Sequence, residues 1–333
     1  MIHFKIYSKV FRLDKILYRI TLVSVSRINA TGGNVNVNYF RKIAWAPKVP
    51  LILRDFHALP AMSKWFQYDS LNSRGKFTDY LKAYQDIILP YEYTIPHQFQ
   101  PTDSGSGSQP LAEFLRWLQE SDEYEKSYLP VIIEALIQGF MNNQSTFQQF
   151  DAPLSLIMSA CQFNNTRNTA TECLERLYIA QSSLSHLPEP LSQDLPAPDI
   201  VKLAGKGDIY NSSIWLGIHP TYTPLHRDPN PNLFCQLVSK KKIRLMTPDH
   251  GDGIYARVRR ELGTHGNSRF RGAEMMQGRE RELLHRAVWH DESIDEVALK
   301  PGDALFIPTG WWHSVVGGGV AGQLNASVNW WFR

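Results

Sequence analysis

The sequence predicts an α+β fold in which a mainly helical region is followed by a strand-rich region. In the first region Leu111, Phe114, Leu115 and Leu118 recur at helical spacing. In the second, the apolar run 233–238 is followed by a lysine-rich connection and a further apolar run, which is typical of strand, tight turn and strand. Helices and strands are therefore expected in largely separate parts of the chain.

Three parts follow from the same patterns: residues 1–40, a mainly helical region 41–195 with an initial strand, and residues 196–333. The Pro-rich stretch 188–198 gives the second boundary. Within the helical region we expect a strand at Val49–Arg54, a largely helical Ser63–Tyr91 and a Ser/Gly/Pro-rich linker at Gln100–Pro110. Apolar segments are then expected at residues 111–125, 128–140 and 153–163.

Residues 1–40 are basic and poor in acid, with six Lys or Arg against one Asp and no Glu. This composition suits a mitochondrial presequence, and a family-specific extension is the alternative. The whole chain of 333 residues has a net charge of only +3, so charge does not indicate a nucleic-acid partner, although it does not rule one out. The three cysteines show no paired spacing, which favours free thiols in an intracellular compartment, cytoplasm or nucleus. The sequence has no apolar run of eighteen residues, and we expect no transmembrane helix.

Two short strings near the end of the chain carry the predicted chemistry. Thr223–Asp228 contains His226 and Asp228 two residues apart, and Pro301–His313 ends in His313. Side chains at positions i and i+2 of a strand point to the same face, so His226 and Asp228 can reach one metal ion. Two His and one carboxylate form the facial set that holds non-haem Fe(II) and leaves positions open for substrate and O2. An isolated His-x-Asp pair has no such meaning, so the prediction depends on its context.

Alternation along the strand after the turn selects one lysine. Lys241, Ile243 and Leu245 share one face, whereas Lys242 and Arg244 take the other. A lysine on the apolar face needs an anionic partner, because an unpaired buried charge is very costly. The carboxylate of a co-substrate would supply that partner, whereas Lys240 and Lys242 fit a solvated turn.

These residues resemble the JmjC (cupin-type) 2-oxoglutarate oxygenases, and are closest to the JmjC-only protein hydroxylases of the asparaginyl and arginyl type. The resemblance is strongest over residues 200–333 and weaker at residues 49–54 and 176–181. The matching motifs are Trp215-Leu216-Gly217, Thr223–Pro229, Asn232-Leu233, Gln236, Lys241, Arg244-Leu245, Leu299–Asp303, Ile307-Pro308, Trp311–His313 and Ser327–Trp331. The resemblance implies a double-stranded β-helix, the jelly-roll of the cupins, with helices packed around it and residues 196–333 as the catalytic barrel.

The resemblance also implies roles for individual residues. His226, Asp228 and His313 match the iron ligands, and Lys241 matches the lysine that pairs with the distal carboxylate of 2-oxoglutarate. Other positions match residues that contact the same co-substrate; these are Tyr178, Thr223, Asn232 and Asn329. Trp215 and Trp331 match aromatics near the substrate mouth, but core packing is the interpretation that we favour for both.

The activity implied is hydroxylation of a protein side chain with Fe(II), 2-oxoglutarate and O2, releasing succinate and CO2. The alternatives are a lysyl demethylase, a hydroxylase of RNA or a small molecule, and a non-catalytic cupin-fold binding protein. Asparaginyl hydroxylases of this family dimerise through a helical tail after the last strand. Since this sequence ends at that strand, we expect a monomer, association through another surface, or a truncated sequence.

An arginine-rich segment, Arg257–Arg286, lies between the strand pair and the closing strands, with a helix expected from about Ala273 to Trp289. It could recognise an acidic protein or nucleic-acid surface. A solvated helix, in which Glu274, Glu280 and Glu282 offset the arginines, is the interpretation we favour. The histidines of this segment, His265, His285 and His290, are not expected to be ligands.

Overall fold

A computed structural model of the chain describes residues 25–29, 35–69, 72–95, 109–124, 127–143, 145–263 and 276–333. Most of the basic extension, nearly all of the linker 100–110 and His265 lie outside the described residues. Within them, no helix is both long and apolar enough to cross a membrane. Cys161, Cys173 and Cys235 are buried and free, as expected.

The described strands form two large structural layers and one small hairpin. The strands are β1 (Ser26–Asn29), β2 (Leu51–Arg54), β3 (Phe66–Asp69), β4 (Asn72–Phe77), β5 (Ile88–Thr94), β6 (Phe147–Pro153), β7 (Leu177–Ser183), β8 (Ile209–Ile218), β9 (Tyr222–Arg227), β10 (Asn232–Val238), β11 (Lys241–Met246), β12 (Asp295–Leu299), β13 (Ala304–Ile307), β14 (Trp312–Gly317) and β15 (Leu324–Phe332). A large sheet has the order β1-β2-β13-β10-β15-β8-β7-β5-β6, and a small sheet has the order β12-β11-β14-β9. β3 and β4 pair separately.

The helices are concentrated before β8 and between β11 and β12. They are α1 (Val37–Phe40), which continues into a π-helical turn at Arg41–Trp45, then α2 (Pro60–Lys64), α3 (Asp79–Lys82), α4 (Gln109–Glu120), α5 (Leu129–Asn143), α6 (Ser155–Asn165), α7 (Glu189–Gln193), α8 (Asp199–Leu203), α9 (Pro248–Leu262) and α10 (Gly278–Trp289). Together with the two sheets they confirm the predicted α+β class.

The large and small sheets pack face to face through their inward side chains. One buried cluster joins Phe234 and Leu305 of the large sheet to Ile243, Leu245 and Val315 of the small sheet. This is the packing of two mainly antiparallel layers in a jelly-roll, which the sequence resemblance implied; β1 and β2 are the parallel pair at the edge of the large sheet. The space between the layers is where the predicted site residues meet.

Helices cover the outer faces of both sheets. The main core packs α1 to α8 against the large sheet. β10 is consequently buried along its whole length, with Leu233 and Cys235 facing the helices and Phe234 facing the small sheet. On the small sheet, α9 and α10 pack over Met246 and Trp312.

The prediction of a largely helical Ser63–Tyr91 is wrong. That segment holds only the short helices α2 and α3 and otherwise forms β3, β4 and the start of β5. In β5, Leu89, Tyr91 and Tyr93 alternate on the buried face, and β6 and β7 pair with the strand on its two sides. The apolar residues of β5 therefore follow a two-residue period, and hydrogen bonds from the neighbouring strands stabilise this extended backbone, which local propensity alone does not predict.

The other expected elements are present, with shifted ends. β2 falls within the expected strand 49–54, and α4, α5 and α6 correspond to the three expected apolar segments. An additional helix, α9, precedes the expected one and ends at Gly263, whose φ of +67° is the left-handed conformation common after a helix. The domain boundary near residue 195 stays a prediction, and the large sheet joins β5, β6 and β7 to β8 and β15 across it.

Candidate metal centre

Three potential metal donors meet where the neighbouring strands β9 and β14 lie side by side. These strands are antiparallel neighbours whose register places His226 directly opposite His313, and Asp228 lies one residue beyond the end of β9. The Nε2 atom of His226 is 3.8 Å from one carboxylate oxygen of Asp228, and the Nε2 atom of His313 is 3.7 Å from the other. All three donor atoms lie within 4.8 Å of one another, so that a single ion could bind all three.

Backbone carbonyls fix the orientation of both imidazole rings. His226 Nδ1 lies 2.8 Å from the Pro224 carbonyl oxygen, and His313 Nδ1 lies 3.3 Å from that of Trp311. When each Nδ1 donates its proton to the carbonyl, each Nε2 keeps a lone pair for a metal, which is the usual outer arrangement of a metal-bound histidine. Burial, and then the neighbouring His226, lowers the pKa of His313 to about 4, so this ring is neutral at pH 7.

The donor set fits a non-haem Fe(II) ion. Two imidazole nitrogens and one carboxylate oxygen approach from one side, as in the facial set that leaves coordination positions open. Within the described part of the chain, His226, Asp228 and His313 form the group of His, Cys, Asp and Glu side chains whose donor atoms are close enough to bind one metal ion. His285 and His290 do not belong to it, in agreement with the sequence interpretation.

A cavity of about 340 Å³, which we call the first cavity, opens onto these donors between the two sheets. All eight predicted site residues line it, and so do Trp215 and Trp331. The lining consists of Tyr178, Trp215, Thr223, His226, Asp228, Asn232, Phe234, Lys241, His313, Val315, Asn329 and Trp331. The structure thus brings the predicted residues together, while the role of each one stays a prediction.

Comparison with known proteins agrees with this architecture. The profile of the family described as "Cupin-like domain" matches residues 37–333, most of the chain. The chain belongs to the cupin-like domain family. The relatives that the chain matches confirm its resemblance to the JmjC cupin-type oxygenases.

Three of those relatives show how far the similarity extends. Lysine-specific demethylase 8 of Danio rerio is 31% identical over 157 residues, which cover 46% of this chain and 36% of the relative. Jumonji C domain-containing protein 5 of Drosophila melanogaster is 28% identical over 156 residues, covering 46% and 36%. Lysine-specific demethylase JMJ30 of Arabidopsis thaliana is 28% identical over 169 residues, covering 50% and 36%. In each case the match spans about a third of the relative's length.

Lys241 brings a positive charge into the first cavity of this cupin-like protein. Its side chain is 2% exposed, whereas the Lys242 side chain on the opposite face is 50% exposed and pairs with Glu296. Lys241 Nζ donates to the Ser327 hydroxyl at 2.8 Å and to the Tyr178 hydroxyl at 3.2 Å. The alternation argument correctly selected the inward lysine, and these hydroxyls orient its ammonium group.

A chain of hydrogen bonds leads from Trp215 to the metal-facing carboxylate. Trp215 Nε1 donates to Asn329 Oδ1 at 2.8 Å, Asn329 Nδ2 donates to Asn232 Oδ1 at 3.0 Å, and Asn232 Nδ2 donates to Asp228 Oδ2 at 2.9 Å. Each member is a neutral group, and the chain uses one face of the large sheet. The two asparagines therefore hold Asp228 in place in addition to any contact with a co-substrate.

Two features of the first cavity were missed or underrated in the sequence. Ser327 lies two residues before Asn329 on β15, so strand alternation could have placed it on the cavity face. Trp215 was favoured as core packing, whereas its indole nitrogen is part of the hydrogen-bond chain. Nothing in the local sequence gives that contact, because it joins residues 114 positions apart.

The arginine-rich segment forms ion pairs across α9 and α10. Arg259 contacts Glu280 at 2.8 Å, and Arg279 lies 3.3 Å from Glu261 and 3.5 Å from Glu282. The Arg279 contacts agree with the favoured interpretation of arginines offset by glutamates on solvated helices, and Glu274 lies outside the described residues. The Arg259–Glu280 pair departs from it because both side chains are largely buried, and Arg281 departs from it because it lines a separate cavity.

Proposed function

We propose that this chain is an Fe(II)- and 2-oxoglutarate-dependent oxygenase that hydroxylates a side chain of a protein substrate. The observation that supports this most is that one cavity is lined by three metal donors and by the buried Lys241 ammonium. A metal alone would fit many reactions. A 2-oxo diacid needs a metal at one end and a cation at the other, and this cavity offers both.

The bound iron and O2 would supply the oxidising power, converting 2-oxoglutarate to succinate and CO2 while a substrate C–H becomes C–OH. Lys241 would bind the distal carboxylate, and the hydroxyls of Tyr178 and Thr223 would donate to the same oxyanion. Phe234, Val315 and Trp331 line the cavity and would exclude water from it. Trp331 Nε1 is buried with no hydrogen-bond partner among the described residues, and so is available to a bound molecule.

Demethylation of a lysyl side chain is the second candidate, and the names of two of the relatives above, both lysine-specific demethylases, favour it. The same hydroxylation at an N-methyl carbon gives a product that loses formaldehyde. Both reactions use the same donors and the same co-substrate. They differ only in which substrate carbon reaches the metal. The three free cysteines support a reducing, intracellular place of action, cytoplasm or nucleus.

The test is succinate release by the purified full chain, with iron and 2-oxoglutarate omitted in turn. We expect release to require both, and to disappear in Asp228→Ala. The exposed Asp199→Ala, which removes a carboxylate from the surface of α8, is the matched control. Release that is independent of iron, or that is unchanged in Asp228→Ala, would contradict the proposal.

The product separates the two candidate reactions. Proteins captured by Asp228→Ala are returned to the active chain and analysed by mass spectrometry. A one-oxygen mass gain indicates hydroxylation. A loss of methyl groups with equimolar formaldehyde indicates demethylation.

A further inference from the structure

A second cavity, of about 330 Å³, lies on the other side of Tyr178 from the first. Tyr178 lines both cavities, so that one aromatic ring separates them. A Cβ on Gly217 would overlap this ring, which means that β8 allows Tyr178 to lie close against it. Whatever occupies the second cavity is therefore a near neighbour of a molecule in the first.

Two arginines give the second cavity its character. Arg176 immediately precedes β7, and Arg281 lies on α10 with its guanidinium 5.0 Å from the centre of the Tyr222 ring. The Nε atom of each is buried and has no hydrogen-bond partner in the part of the chain that the structure describes. Leaving a buried donor unsatisfied costs roughly 1–3 kcal/mol, and more for a charged group.

The two charges also act on each other. Burial, and in addition the charge of Arg281, lowers the pKa of Arg176, while Glu175 opposes the shift. The buried Tyr222 hydroxyl lies in the same lining and interacts with Ser314. Two unsatisfied guanidinium donors thus lie around one space, and an oxyanion is the ligand that would satisfy them together.

We infer that the second cavity binds a carboxylate side chain of the polypeptide substrate, an Asp or Glu close in sequence to the residue that enters the first cavity. This inference rests on the proposed function for the identity of the substrate. Formal charges select a carboxylate over a phosphoryl group. The cavity is lined by the two arginines and by the buried acid Glu92, and a second acid, Glu175, acts on the charge of Arg176; these acids disfavour a dianion more than a monoanion.

The test uses three degenerate peptide pools that differ at one fixed position, which is Glu, Gln or phosphoserine. Retention is measured on the immobilised full chain with Fe(II) and 2-oxoglutarate under anaerobic conditions, so that no turnover is needed. We expect roughly fivefold or greater retention of the Glu pool over the Gln pool, since losing one partner of a buried charge pair costs at least this much. In Arg281→Gln and in Arg176→Gln the two pools should be retained equally.

Arg279→Gln is the matched control, because Arg279 lies on the same helix with a 58% exposed side chain and pairs with Glu261 and Glu282 at the surface. It removes the same charge and should keep the Glu preference. Equal retention of the Glu and Gln pools by the unmodified chain would overturn the inference, and so would a preference that persists in both cavity variants. Stronger retention of the phosphoserine pool would overturn the carboxylate assignment in favour of a phosphoryl group.

The two experiments distinguish failure of this inference from failure of the proposed function. Glu preference without any succinate release would leave the anion site standing and remove the oxygenase. Succinate release without Glu preference would support the oxygenase and rule out the anion site.

Discussion

The two sheets that enclose the first cavity contribute different kinds of side chain. The small sheet and the residue following β9 carry the groups that can bear charge: His226, Asp228, His313 and Lys241. The large sheet contributes neutral groups only, namely the amides of Asn232 and Asn329, the Ser327 and Tyr178 hydroxyls and the Trp215 indole. In the proposed function, the charged groups of one layer bind the metal and the carboxylate of the co-substrate, while the neutral groups of the other layer orient them and add the Tyr178 hydroxyl to the co-substrate contacts.

The largest effect is expected on the charged layer, at a metal donor. His313→Ala removes one of the three metal ligands. Losing a residue that only contacts a ligand lowers metal affinity by up to about 100-fold, so losing a ligand itself should lower Fe(II) affinity by more than that. Metal content after dialysis measures this directly. The exposed His186→Ala is the control. Retention of full metal content by His313→Ala would mean that the two layers are not divided as proposed.

Lys241→Met tests the same layer without touching the metal donors. Removing the ammonium leaves a co-substrate carboxylate buried without its partner, which typically costs about 3–5 kcal/mol. The KM for 2-oxoglutarate should therefore rise by at least about 100-fold, while iron binding is preserved. Lys242→Met, one residue along the strand and on the solvent face, should change neither. An unchanged KM in Lys241→Met would remove the assignment of the distal carboxylate.

Acid should weaken the fold through histidines outside both layers of the site. Burial lowers the pKa of His57 and of His219 to about 4 in the folded chain, against about 6.5 when unfolded. Their contribution to stability is therefore complete above pH 6.5 and is lost as the pH falls toward 4, by roughly 1–3 kcal/mol each. Urea unfolding at pH 7 and pH 5 measures the difference.

The matched variants for this pH dependence are His57→Gln and the exposed His186→Gln. The first should flatten the dependence and the second should leave it unchanged. An identical unfolding midpoint at pH 7 and pH 5 would show that these buried rings do not set the acid limit of stability.

Asn232→Ala moves the test to the neutral layer. The change removes the amide that donates to Asp228 at 2.9 Å and breaks the chain to Asn329. Loss of a residue that hydrogen-bonds to a metal ligand lowers metal affinity by about 10-fold to 100-fold. We expect the lower figure for Asn232→Ala, because backbone carbonyls still orient both histidines. The exposed Asn38→Ala serves as the control. Complete loss of metal would place Asn232 with the charged layer instead.

The charged layer was predictable from the sequence and most of the neutral layer's contacts were not. His226, Asp228 and Lys241 follow from strand alternation within a few residues, a local rule that tertiary packing preserved. The hydrogen-bond chain depends on register between strands far apart in sequence, such as Phe234 opposite Asn329. Register of this kind is fixed by the packed sheet and not by any single segment. The strands of residues 63–94 were missed for the same reason, since their pairing partners supply what local propensity does not.

Trp215→Phe is the smallest change and the sharpest test of the neutral layer. It keeps an aromatic ring beside Tyr178 and Trp331 and removes the Nε1 donor to Asn329 together with part of the indole. One hydrogen bond between neutral groups is worth about 1 kcal/mol, so metal affinity should fall only about two-fold to five-fold. Three hydrogen bonds lead from Trp215 through Asn329 and Asn232 to Asp228. The double variant Trp215→Phe/Asn232→Ala should therefore bind iron no more weakly than Asn232→Ala alone. Additive losses in that cycle, measured by iron titration, would show that Trp215 acts on the first cavity directly and not through the asparagines.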